Sequence, residues 1–169
     1  MPELDQITVI AHKSRPLTPG EAMIQFLSQY IGLKEIPGEE DNPVIVEWFH
    51  DIGFTWINDD ETPYCSCTVN YVAKQLKIER SGALDARSWL KVGQKTTSPI
   101  PGDIVVFWRE SPSSWKGHVG IFLGFSADGR HVWVLGGNQG NEVGIRSYPV
   151  NTNTFGLLDF RRLSYETNH

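Results

Sequence analysis

The chain has 169 residues, 40% of them hydrophobic and 11% aromatic, and carries a net charge of −5. That composition suits one globular domain with a sizeable core. Scattered Lys and Arg in a mildly acidic chain argue against a nucleic-acid binder, and no apolar run approaches a membrane span.

Residues 1–17 read as a flexible leader with one short strand at 7–10. This segment lacks a positive start followed by a long apolar core, so the expectation is synthesis in the cytoplasm without a signal peptide. Residues 18–169 read as a single domain, expected to be a monomer. "TPGE" offers Thr18 as N-cap, Pro19 at the first helical position and Glu21 for a capping box. Ala22, Met23, Phe26, Leu27, Tyr30 and Ile31 follow at helical spacing. Asn42-Pro43 starts a second helix that Gly53 stops, and Thr62-Pro63 repeats the signal for a third. Cys65, Val69, Val72, Ala73 and Leu76 share one face of that third helix. A short helix is expected over 83–90, capped by Ser81.

After "SPIPGD" the pattern turns β-rich. Residues 103–109, 118–125, 131–137, 143–149 and 155–163 are short strand candidates, with Asp128-Gly129 as a hairpin signal. Helices followed by about five antiparallel strands predict an α+β domain.

The two cysteines, Cys65 and Cys67, lie in "ETPYCSC". A disulfide framework needs more cysteines than this. Two residues on a helix are about 200° apart, so the thiols should diverge, against a mutual disulfide or joint metal ligation. A free cysteine is most often a small buried hydrophobe, and Cys67 is read that way. For Cys65 alone the two readings balance, because a helix N-terminus with a nearby imidazole favours the nucleophilic thiolate. His118 in "KGHVGIF" tips the balance, since it starts a strand between glycines, where a ring can reach a helix end. Asn138, where a strand meets a tight turn, is the candidate to orient the imidazole, although Asn at a turn also has a purely structural use. His131, beside the hairpin signal, is the rival base at the far end of the sheet.

The ordered set aromatic-Cys, "VN", "PGDIVVF", "GHVGI" and "LGGNQ" resembles the cysteine- and histidine-dependent amidohydrolase/peptidase (CHAP) branch of the NlpC-type papain-like fold. "IGLKEIPGEEDNPVIVEWF" at 31–49 resembles the opening of small bacterial and phage members. The resemblance covers roughly residues 20–163. It implies a papain-like fold with N-terminal helices packed on the sheet. It also implies Cys65 as nucleophile, His118 as general base and acid, and Asn138 as orienter, acting on amide bonds of peptidoglycan stem peptides. Two departures stand out. Tyr64 replaces the usual Trp before the nucleophile, and Ser66, Cys67 and Thr68 replace small and aromatic residues after it, making that helix more polar.

Tyr64, Trp115 and Gln139 are the expected substrate contacts. Trp48, Trp108 and Trp133 are assigned to the core. No cofactor and no metal are expected. "NDDE" at 58–61 lacks the alternating spacing and glycine of an EF-hand loop and reads as a solvated loop, with carboxylates that could meet a substrate amine. The setting that follows is a phage lysin or an injected antibacterial effector, acting in the cell envelope after delivery and accompanied by a cognate immunity protein. A hydrolase or deamidase of protein substrates, and a binding module with a dead site, are the alternatives.

Overall fold

A computed structural model describes residues 15–168; the strand expected at 7–10 falls outside the described residues. Helix α1 spans Pro19–Ser28 and begins with the expected capping box: the Glu21 N–H donates to the Thr18 hydroxyl, and the Glu21 carboxylate accepts from the Thr18 N–H. It buries Ala22, Met23 and Leu27. The helix ends before Ile31, which is half exposed instead of completing the apolar face. Helix α2, Pro43–Asp51, is capped by Asn42, whose side chain accepts from the Val44 N–H at 3.0 Å. Gly53 ends the turn after it with φ of 104°. Helix α3, Cys65–Gln75, is buried from Cys65 through Asn70 and packs between the other helices and the sheet.

The sheet has six strands: β1 (Gln94–Thr96), β2 (Ile104–Arg109), β3 (Gly117–Phe125), β4 (His131–Gly136), β5 (Gly144–Pro149) and β6 (Phe155–Arg162). Their order is β1-β6-β2-β3-β4-β5 and every neighbouring pair is antiparallel. The class is therefore α+β, with one strand more than expected. β1 carries Gln, Lys and Thr on an edge, so no apolar alternation announces it. The helix expected over 83–90 is a 3₁₀ segment at Ala86–Lys91 with Asp85 at its N-cap. Ser81 lies too far upstream to cap it; its hydroxyl accepts from the Ala83 N–H at 3.3 Å and from Asn70 Nδ2 at 3.1 Å.

One sheet face shares the helical core through Ile104, Val106, Val119 and Ile121. The other carries a second apolar cluster around Val105, Phe107, Phe122 and Phe160. The sheet curls far enough for Leu157 N–H to reach the Val150 carbonyl at 2.8 Å. Trp48 and Trp108 are buried, whereas Trp133 is 45% exposed, because it points outward in the alternation of β4. Among the described residues no helix is long and apolar enough to cross a membrane.

Candidate active site

Helix α3 begins later than the Thr62-Pro63 pair signals. Tyr64 is its N-cap and Cys65 its first residue, while Thr62 is held by Asp59, whose carboxylate accepts from the Thr62 N–H and hydroxyl at 2.7 and 2.8 Å. As the first helical residue, Cys65 sits where backbone N–H groups lack intrahelical acceptors. The two thiols diverge. Cys65 lines a surface cleft, and Cys67 is sealed in the helical core.

The polar first turn has a structural use. The Ser66 hydroxyl donates to the Ala83 carbonyl at 2.7 Å and accepts from the Trp89 indole N–H at 2.9 Å. Asn70 donates to the Ser66 and Ala83 carbonyls and accepts from the Gly82 N–H. These bonds fasten segment 81–86, one wall of the cleft, onto α3. The acidic stretch before the helix is solvated at Asn58 and Glu61 but not at Asp60. Asp60 is fully buried, and its carboxylate accepts from the N–H groups of Ile36 and Asn42 at 2.8 and 2.7 Å, tying loop 36–42 to the start of α3.

His118 lies near the start of β3, opposite Phe107 of β2, and is 1% exposed. Its ring packs on Tyr148, with centroids 4.9 Å apart. Nε2 is 2.9 Å from Oε1 of Gln139. The Gln139 amide nitrogen spends its two protons on the carbonyls of Val134 and Gly144, at 3.1 and 2.7 Å. Its oxygen must therefore face the histidine and accept, so Nε2 carries the imidazole proton and Nδ1 holds the free lone pair. Room for this amide comes from glycine. A Cβ at Gly136 would lie 2.9 Å from Gln139 Oε1, and one at Gly120 would lie 2.4 Å from Val134 Cγ1. Gly136 is thus the spacer for the buried glutamine, while Gly137 makes room for Thr68 and Tyr64 and Gly117 for the Phe107 carbonyl.

Asn138 and Gln139 exchange the positions expected of them. Asn138 takes a left-handed φ of 55°, which breaks the strand alternation after Gly137. It lines the cleft, while Gln139 turns inward, 1% exposed, and meets the imidazole. Tyr64 also departs from expectation: it is fully buried in the helical core and cannot touch a substrate. Trp115 stands where expected, 74% exposed on the rim of the cleft. His131 is exposed and pairs with Pro149 at the opposite end of the sheet.

The cleft encloses about 230 Å³ and brings together Cys65, His118, Asn138, Asp85, Arg109 and Trp115. A wider, open groove of about 730 Å³ across the 3₁₀ segment shares only Asp85 with it and has no thiol or imidazole in its lining. Burial raises the Cys65 thiol above its ordinary range; the Val119 N–H, the Arg109 charge and the N–H groups of Ser66 and Cys65 pull the other way. Burial lowers the His118 imidazole to about 4, with the Gln139 bond raising it and Arg109 lowering it further. At neutral pH the resting site thus holds a neutral thiol and a neutral imidazole. That imidazole can accept a proton at Nδ1 as the thiol attacks.

The sequence profile of the CHAP domain matches residues 57–138, from the loop before α3 to the turn that carries Asn138. No curated protein and no solved structure matches the chain.

Proposed function

Through residues 57–138 the chain belongs to the CHAP domain family, and from that premise we propose that it hydrolyses amide bonds in bacterial peptidoglycan. The family consists broadly of cysteine- and histidine-dependent amidases and peptidases, and peptidoglycan hydrolysis is its general activity. Cys65 is the nucleophile, His118 the general base and then acid, and Gln139 the residue that holds the ring.

The observation that carries this reading is the direction of the His118 proton. With Nε2–H fixed on Gln139 by two carbonyls behind it, Nδ1 is free for a proton from the Cys65 thiol in the shared cleft. The thiolate adds to the amide carbonyl, and the backbone N–H at the start of α3 supports the oxyanion. Protonated Nδ1 then donates to the leaving amine, which departs and leaves a thioester on Cys65. Water, deprotonated by the same nitrogen, releases the acid and restores the thiol. Asn138, at the cleft, supplies a side-chain amide toward the bound carbonyl.

Peptidoglycan as substrate makes the cell envelope the site of action. A phage lysin, or an injected effector with a cognate immunity protein, is the proposed setting. The test is digestion of purified sacculi by the wild type and by Cys65→Ala, followed by mass spectrometry of the soluble muropeptides. New amine and carboxyl ends with the wild type alone support the reading, and identical profiles for the two proteins refute it.

A further inference from the structure

We propose that Arg109 anchors a substrate carboxylate beside the scissile amide, so that the enzyme selects stem peptides bearing a free carboxylate at that position. The inference rests on the peptidoglycan reading above and narrows it to a substrate class.

Three cations stand around the cleft, and two are already engaged. Lys116 forms an ion pair with Glu110. Arg87 spends its guanidinium on the carbonyls of Lys116, Pro112 and Ser111, at 3.3, 2.9 and 3.3 Å, and so straps the Trp115 loop to the 3₁₀ segment. Arg109, at the end of β2, lines the cleft with Cys65 and His118 and forms no ion pair among the described residues. Its guanidinium carbon lies 6.0 Å from the centroid of the Phe155 ring, a cation–π contact that leaves the donor edge of the fork unused. A planar fork of N–H donors matches a carboxylate in two parallel bonds.

The surroundings favour such a pair. Pro63, Leu84 and Ala86 give the cleft an apolar wall, and exposed Trp115 is available to cover a bound peptide. Asp85, the acidic side chain of the cleft lining, lies on the 3₁₀ side and forms no ion pair with Arg109.

Anchoring there would couple recognition to chemistry. The Arg109 charge disfavours the protonated imidazole of His118. A carboxylate seated on Arg109 cancels much of that charge, and Nδ1 becomes a stronger base only when the selected substrate is present.

The experiment uses soluble muropeptides in two forms, with native carboxylates and after carbodiimide-driven amidation with ammonia. For the wild type, kcat/KM on the carboxylate form is expected to exceed that on the amidated form by about 10- to 100-fold, the range of a hydrogen bond to a charged group. Arg109→Gln is expected to bring this ratio close to one, and Arg109→Lys to retain part of it. Equal wild-type rates on the two forms, or a ratio that survives in Arg109→Gln, would overturn the assignment while leaving the hydrolase reading intact. A wild type that cuts neither form refutes the hydrolase reading, and the anchor with it.

Discussion

The first turn of α3 carries two thiols in contrasting surroundings. Both Cys65 and Cys67 are buried, and burial raises both thiols above their ordinary range. Around Cys65 the push is opposed by backbone N–H groups and by the Arg109 charge, and the thiol shares a cleft with an imidazole. Around Cys67 nothing opposes it, since the side chain faces the packed interior of the helical layer. Burial alone therefore does not tell a working thiol from a packing one. The difference lies in which donors face the sulfur and whether a base can take its proton.

The sharpest way to break this contrast is to remove each thiol in turn. Cys65→Ala is expected to lose roughly 10⁴-fold or more of the activity on muropeptides, as for removal of a nucleophile from a catalytic unit. Its melting temperature should stay near that of the wild type. Cys67→Ala should retain activity within a few-fold and lose about 1 kcal/mol of stability. A dead Cys67→Ala beside a live Cys65→Ala would reverse the assignment.

The two histidines of the β3–β4 hairpin extend the contrast to the base. His118→Ala is expected to cost about 10² to 10⁴-fold in kcat. His131→Ala, at the far end of the sheet, should be indistinguishable from the wild type. Comparable losses in the two variants, with both folded by circular dichroism, would remove His118 from its special position.

A smaller effect separates Gln139 from Asn138. Gln139→Ala leaves the ring free to turn and is expected to lower kcat by about 10- to 100-fold, the scale of a lost orienting partner. Asn138→Gly keeps the left-handed backbone and should cost less than Gln139→Ala. Kinetics of the two variants on one muropeptide decide the order, and a larger loss in Asn138→Gly would return the orienting role to Asn138.

A further effect is in stability. His118 takes a proton near pH 4 in the folded chain, against 6.5 for the ordinary side chain. Above pH 6.5 neither state protonates it, and its contribution to stability is complete. As the pH falls from 6.5 toward 4, the unfolded chain binds a proton that the folded chain refuses, so stability is lost across that window. The loss amounts to about 3 kcal/mol at 1.36 kcal/mol per pH unit. Urea unfolding at pH 7 and pH 4.5 should show most of this extra drop in the wild type and not in His118→Gln. Parallel losses in the two proteins would mean that the imidazole titrates normally.

Much of this architecture is legible in the sequence where local chemistry is decisive. Thr18 and Glu21, Asn42 and Pro43, and Asp128-Gly129 each announce a cap or turn through their own side chains, and each forms it. The cleft is legible in part, because Cys65, His118, Trp115 and Asn138 all reach it. What sequence reading misses depends on direction and depth. Asn138 and Gln139 are neighbours, and only the left-handed backbone at Asn138 decides which side chain meets the imidazole. Asp60 reads as one acid in a polar run, and its burial becomes visible only when loop 36–42 folds over it. Tyr64 keeps its aromatic character but points into the core, because the helix starts after it and not before. The signal for Gln139 lies in the glycine at 136, whose missing side chain leaves the space its amide fills.

The central claim is that Cys65, His118 and Gln139 act as one unit, with the imidazole neutral and its proton on Nε2. Nitrogen-15 NMR of histidine-labelled protein at pH 7 tests it directly, with the His118 resonances identified by their loss in His118→Gln. The account predicts a neutral ring with a protonated Nε2 and an unprotonated Nδ1, and a weakened preference for that tautomer in Gln139→Ala. An imidazolium, or a neutral ring with its proton on Nδ1, would contradict it.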